Sequence, residues 1–170
     1  AITDELTGAY NRRQFNKDLA AAVALHARHQ TPAALCLLDV DHFKAYNDRY
    51  GHPAGDEVLR QISTTLRQQL QRASDHVYRV GGEEFAILID IHEPPDKVVA
   101  FVNRMQACIH GLSITHEGSP IGVVSISMGL VILKAQGAPH AATELYSITD
   151  ALLYQAKQTG RNRLVSKILD

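Results

Sequence analysis

Two adjacent glutamates, Glu83 and Glu84, follow two glycines in the run Arg79-Val80-Gly81-Gly82-Glu83-Glu84-Phe85, and an aspartate, Asp39, ends the apolar stretch Ala33-Ala34-Leu35-Cys36-Leu37-Leu38. Each run of this kind has a bland reading. A Gly-Gly-Glu-Glu turn can be a solvated hairpin tip, and an aspartate at a strand end can be a turn former. If the two stretches are neighbouring strands, however, three carboxylates converge at one end of a sheet. Their mutual repulsion would raise at least one pKa unless a cation neutralised the cluster. Strand-end acids together with a backbone carbonyl are the hard oxygen ligands that magnesium prefers. Both readings stay open on these residues alone.

Other charges indicate what a metal there would hold. Lys44 falls on the first turn of a short helix, where free N–H groups and the helix dipole favour an anion. Lys157 and Arg161 bracket the end of the last helix. Asn47 and Asp56 flank a glycine-containing turn and together suit the edge of a purine. A carboxylate accepts two N–H bonds at once, which fits guanine N1–H and N2–H2 and not adenine. Taken singly, each of these side chains reads as solvated surface.

Other catalytic templates fail. There is no G-x-x-x-x-G-K-[ST], no G-x-G-x-x-G and no G-x-S-x-G run. The cysteine and histidine spacing offers no zinc site. Ser125 and Ser127 with nine scattered histidines make no triad. His26 and His29 are spaced like a metal pair but lack a third ligand, so a solvated helix end is expected there.

The elements that must position these groups follow from periodicity and turn residues. Residues 76–80 and 85–89 are strand-like runs around the glycine turn, and the glycines are expected to supply the positive φ of a tight hairpin. After an entry loop at Asp4-Glu5-Leu6-Thr7-Gly8, Phe15, Leu19 and Val23 predict a helix over about 11–30. Residues 33–38 read as a central strand running into Asp39-Val40-Asp41. A short helix over 42–50 follows, with Asp41 placed to cap it. Gly51-His52-Pro53-Ala54-Gly55-Asp56 reads as a turn before a helix to about 71. Further helices are expected over 96–110 and 142–158, strands over 112–116 and 121–133, and an edge strand over 161–168. Beyond the first helix the order is β-α-α-β-β-α-β-β-α-β. It suits an α+β fold with a central, mainly antiparallel sheet and helices on its faces.

With 170 residues, 45% of them hydrophobic and 21% charged, the chain can bury one self-sufficient core. Lysine plus arginine (17) nearly balances aspartate plus glutamate (18), so no overall field argues for a nucleic-acid partner. Cys36 and Cys108 lie apart in apolar stretches and read as buried hydrophobes of a reducing, cytoplasmic compartment. No run reaches the roughly 18 apolar residues of a membrane span, so no direct membrane contact is expected. The chain begins without methionine in a motif-like stretch. One domain excised from a longer multidomain protein, whose parent could be membrane-anchored, is the expectation.

Five segments in order carry a resemblance. They are Asp4-Glu5-Leu6-Thr7-Gly8 with Asn11-Arg12-Arg13; Asp39-Val40-Asp41-His42-Phe43-Lys44; Asn47-Asp48 with Gly51-His52-Pro53-Ala54-Gly55-Asp56; Gly81-Gly82-Glu83-Glu84-Phe85; and Ala156-Lys157-Gln158-Thr159-Gly160-Arg161-Asn162. The chain resembles a GGDEF domain in its GGEEF form, the catalytic domain of bacterial diguanylate cyclases, with a palm or nucleotidyl-cyclase-like fold. The resemblance implies condensation of two GTP into cyclic di-GMP with release of pyrophosphate, across a C2 homodimer. It implies Asp39 and Glu83 as side-chain metal ligands and Val40 as a carbonyl ligand, for magnesium or manganese. It also implies Glu83 and Glu84 as the catalytic acids, with their division of roles open. Asn47, Asp56 and His52 would meet guanine. Lys44, Lys157, Arg161 and the backbone around Phe43 would hold phosphates, and Gly82 would let the nucleotide approach. Arg72-Ala73-Ser74-Asp75 resembles the family's R-x-x-D product-inhibition site, with Arg104 as a secondary contact. A catalytically silent receptor for GTP or cyclic di-GMP is the rival reading, and palm-type chemistry on another substrate a second.

Overall fold

Alternation along β1 (Ala33–Val40) decides how the layers form. Its even-numbered side chains Ala34, Cys36, Leu38 and Val40 share one apolar cluster, and Leu35 and Leu37 enter another. A strand that is apolar on both faces must be covered on both, and this one is. The computed structural model describes residues 1–70, 75–90 and 93–170. In it five helices and five strands follow one another in the order α1-β1-α2-α3-β2-β3-α4-β4-α5-β5.

The sheet order is β2-β3-β1-β4-β5, with β2 spanning His76–Arg79, β3 Glu84–Asp90, β4 Ile126–Leu133 and β5 Leu164–Leu169. β1 pairs antiparallel with β3 and β4, β2 pairs antiparallel with β3, and only β5 is parallel to its neighbour β4. The expected mainly antiparallel sheet is present. α2 (Phe43–Tyr50), α3 (His52–Gln69) and α4 (Pro95–Gly111) cover one face through Phe43, Val58, Ile62, Val102 and Met105. α1 (Arg12–His29) and α5 (Ala142–Gln158) cover the other through Phe15, Leu19, Leu145 and Leu153. Asn11 caps α1 by accepting the Gln14 N–H at 3.0 Å, and Gln30 ends it in the left-handed region.

Several expectations are corrected. Residues 112–116 form no strand: Thr115 and Val123 make an isolated bridge, and β4 begins only at Ile126. Glycine, serine and proline in 117–122 favour successive turns over a ladder. The expected turn over 51–56 is shorter, because only Gly51 breaks the chain and α3 starts at His52 with Pro53 in its first turn. His26 is not solvated. It is 2% exposed, and its Nε2 lies 2.9 Å from the Lys134 carbonyl. Cys36 is buried and burial pushes its thiol pKa up, so it is an inert core residue as expected. No helix among the described residues is long and apolar enough to cross a membrane.

α5 rides unusually close to the sheet. A Cβ added at Gly129 in β4 would lie 2.5 Å from the Leu153 nitrogen and 2.6 Å from the Thr149 carbonyl oxygen, both backbone atoms of α5. Gly129→Ala is therefore expected to lower stability by about 1–3 kcal/mol through overpacking, read as a shifted urea midpoint.

Candidate active site

The ladder between β1 and β3 sets Asp39 opposite Glu84. Like charges directly opposite one another across two strands repel. Val40 donates its N–H to the Glu83 carbonyl at 3.3 Å, which keeps the second glutamate beside the same strand end. The three acids therefore do converge. Lys157, from the last turn of α5, places its ammonium on Asp39 Oδ2. Asp39 Oδ1 is buried and has no hydrogen-bond partner among the described residues.

All three carboxyls are held above their ordinary pKa. For Asp39, burial is the largest cause and Lys157 opposes it, while Asp41 adds repulsion. For Glu83, burial leads and Asp39 adds to it; for Glu84, burial leads, followed by Asp39 and Asp150, with Lys157 opposing in both. One ammonium thus incompletely balances the acids. Among the described residues no three acid, histidine or cysteine side chains close on one point as a finished metal cage. The donor set still fits a hard cation of the magnesium kind, which keeps several waters and takes only one or two carboxylates. Asp39 Oδ1 is the free acceptor such an ion would need.

The hairpin is held from behind. Val80 and Gly81 donate N–H bonds to the Glu84 carbonyl at 3.0 and 3.3 Å. Arg79 donates to the Gly82 carbonyl at 3.2 and 2.8 Å from Nε and Nη2, and its Nη1 meets Asp4 at 3.2 Å. Arg12 donates to the Val80 carbonyl at 3.0 Å and lies 5.2 Å from the Tyr146 ring centre. Burial raises the Asp4 pKa, but two hydrogen bonds from Thr7 and the Arg79 charge outweigh it, and the net shift is downward. These clamps from the entry loop and α1 were not assigned from sequence; the proximity of Asp4 and Arg12 to the hairpin depends on the fold. Neither Gly81 nor Gly82 has positive φ, contrary to expectation. Gly81 instead relieves crowding, since an added Cβ would lie 3.0 Å from Glu84 Oε2. Nothing lies within 4 Å of a Cβ built on Gly82, so its small size serves no packing need within the chain.

The remaining candidate residues divide into two groups. Phe43 is buried beneath α2, while Lys44 is exposed and pairs with Asp48 at 3.1 Å. Asn47 Oδ1 is buried without a partner among the described residues, and a Cβ on Gly55 would stand 1.8 Å from it. Gly55 in α3 thus makes room for the Asn47 amide, with exposed His52 and half-buried Asp56 on the same first turns. Arg161 follows α5 and donates to the Lys157 carbonyl at 3.1 Å. Asp75 lies elsewhere, at the far end of the β2–β3 ladder from the hairpin tip, where it accepts the Asp90 N–H at 2.9 Å. Arg104 sits on α4 over the Phe101 ring at 5.7 Å, and Arg72 falls outside the described residues. Asp41 does not cap α2; His42 occupies that position, without a side-chain cap.

The structure is a palm-like α+β fold of the nucleotidyl-cyclase class. The family model described as "Diguanylate cyclase, GGDEF domain" matches residues 1–163, and the chain belongs to that family. It is 40% identical to diguanylate cyclase VdcA of Vibrio cholerae over 167 residues, covering 97% of this chain and 47% of VdcA. It is 37% identical to diguanylate cyclase DgcP of Pseudomonas aeruginosa, covering 96% of this chain and 24% of DgcP. The chain therefore spans less than half the length of either relative. Among solved structures it is similar to the coiled coil and GGDEF domain of DgcB from Caulobacter crescentus in complex with c-di-GMP. That match has a TM-score of 0.86 and 27% identity, over 98% of this chain and 85% of the other. The active GGEEF domain of a Vibrio cholerae diguanylate cyclase matches with a TM-score of 0.73 and 30% identity, over 92% and 96% of the two chains.

A carboxyl with a raised folded pKa is destabilised as the anion, so its contribution opposes folding at neutral pH, begins to shrink as pH falls below the raised folded value and is gone below the ordinary carboxylate value. Glu84→Gln is therefore expected to stabilise the metal-free protein at neutral pH by about 0.2–1 kcal/mol, taking the size of an opposite-charge cross-strand pair with its sign reversed. Thermal melts at several pH values in chelator check this, and the gain should shrink as pH is lowered.

Proposed function

We propose that this domain is a diguanylate cyclase, condensing two GTP into cyclic di-GMP and two pyrophosphates. The observation that carries the reading is Asp39 Oδ1, a buried acceptor without a partner beside two glutamates of raised pKa. A bound divalent cation, magnesium or manganese, would neutralise charge on the acids and polarise the reacting phosphate. Asp39, Glu83 and the Val40 carbonyl would hold it.

The chain's own residues do the rest. Asn47 and Asp56 read the guanine edge, with His52 beside them. Lys44, Arg161 and the backbone N–H groups at Phe43 and Lys44 hold phosphates. Lys157, which pairs with Asp39 here, would hold a phosphate oxygen in the loaded site. The 3′-oxygen of one GTP bonds to the α-phosphorus of the other while the bond from that phosphorus to the β-phosphate bridging oxygen breaks. A carboxylate, Glu84 or Glu83, accepts the 3′-hydroxyl proton; a raised pKa suits a base working near neutrality. One domain holds one GTP, so two copies meet face to face as a homodimer, and the reaction takes place in the cytoplasm, where the parent protein supplies the input. The structures of relatives with c-di-GMP support product binding, and we assign feedback inhibition to Arg72, Asp75 and Arg104.

Incubation of the purified domain with GTP and magnesium should yield cyclic di-GMP and pyrophosphate by chromatography. GTP binding without product would instead support a silent receptor. Asp39→Asn should lower turnover about a hundredfold or more, as expected for loss of one transition-state contact. Gly82→Val should leave the circular dichroism spectrum unchanged and retain less than roughly a tenth of activity, because a small displacement of the substrate is costly. Arg72→Ala should raise the product level at which synthesis stops.

A further inference from the structure

Asp41 stands one residue beyond β1 and is only 4% exposed. Its carboxylate takes three donors. Oδ2 accepts the Ser125 hydroxyl at 2.7 Å and the Asn162 backbone N–H at 3.0 Å, and Oδ1 accepts the Ser127 hydroxyl at 2.6 Å. A buried aspartate with both oxygens satisfied is a rigid acceptor, and both serines come from the β4 region of the sheet. The third donor belongs to a different part of the chain.

Asn162 lies in the turn between α5 and β5, where the backbone is strained. Arg161 and Asn162 are consecutive non-glycine residues with φ of 61° and 49°, directly after Gly160 at 127°. Glycine enters the left-handed region freely and asparagine occasionally, but two consecutive non-glycine residues there, one of them an arginine, need surroundings that hold them. Here the determinants can be named. Asp41 holds the Asn162 N–H, and Gln106 of α4 donates to the Asn162 side-chain oxygen. Arg161 is fixed by its own N–H to the Ala156 carbonyl at 3.0 Å and by its guanidinium on the Lys157 carbonyl at 3.1 Å.

We infer that Asp41 is a positioning residue for the phosphate end of the site: it holds the turn in its left-handed form and so sets where the Arg161 guanidinium stands. It touches no reacting atom. The inference rests on the assignment of Arg161 to GTP phosphates, and it gives a role to an acid two residues beyond Asp39 whose oxygens are taken up by two hydroxyls and an amide.

The test removes the tether without leaving orphaned hydroxyls. Asp41→Ala combined with Ser125→Ala and Ser127→Ala replaces the polar group and both side-chain partners by apolar ones, a change the core tolerates better than Asp41→Ala alone. Amide exchange at Asn162, followed by NMR without nucleotide, should be slow in the wild-type chain and fast in the triple variant. The KM for GTP should rise roughly tenfold, the scale of one lost charge-assisted hydrogen bond, with kcat changed far less. Adding Asn162→Gly should bring the KM most of the way back, because glycine adopts the left-handed conformation untethered. An unchanged KM, or no recovery with glycine, overturns the inference. So does a fast-exchanging Asn162 amide in the wild-type chain, a reading that needs no variant to fold. Slow exchange in a wild-type chain that makes no cyclic dinucleotide sinks the proposed function and supports the tether.

Discussion

The contact between the Lys157 ammonium and one oxygen of Asp39 is the interaction on which the site depends. Asp39, Glu83 and Glu84 form a set of negative charges that burial makes costly, and a single lysine incompletely offsets it. That lysine comes from the opposite side of the sequence, at the end of α5. The helix must therefore lie flat and close on the sheet for the acids to be tolerated, and the missing Cβ at Gly129 permits this.

The hairpin tip is organised by the same requirement. Its acids would splay apart if the turn were free. Arg79 instead grips the Gly82 carbonyl and Asp4, and Arg12 grips the Val80 carbonyl, so two guanidinium groups tie down the backbone beneath the charges. Positive groups placed behind the turn hold the acids in place without quenching them, because Arg12 and Arg79 spend their donors on carbonyls and on Asp4. The Asp4 pairing contributes stability that is present above the ordinary aspartate pKa and is lost as pH falls through its lowered folded value.

Much of this was legible beforehand. The helix over 11–30 shows in the spacing of Phe15, Leu19 and Val23, and the apolar run 33–38, which has no period, shows as a strand in its short length between Pro32 and Asp39. The meeting of Asp39 with the glutamates hung on the two strands being neighbours, and the β1–β3 ladder supplies that adjacency. What escaped was tertiary. Asp41 had the spacing of a helix cap, yet two serines across the sheet and the Asn162 amide outcompeted the α2 N-terminus for its oxygens. The strand expected over 112–116 had alternating apolar residues but too few partners to form more than one bridge. His26 looked solvated at a helix end because the chain that covers it, around Lys134, lies far away in sequence.

The close seat of α5 on β4 has a consequence for tolerance to change. Where two backbones touch, their spacing is set by main-chain atoms and not by the size of interdigitating side chains. Trimming Leu145 or Leu153 would leave a void and cost stability, but the helix has a hard stop against Gly129 and has nowhere closer to settle. The height of Lys157 above the sheet is thus insulated from the repacking that ordinarily accompanies core drift. Sequence variation along this helix can trade away melting temperature while the charge geometry at its end stays in register.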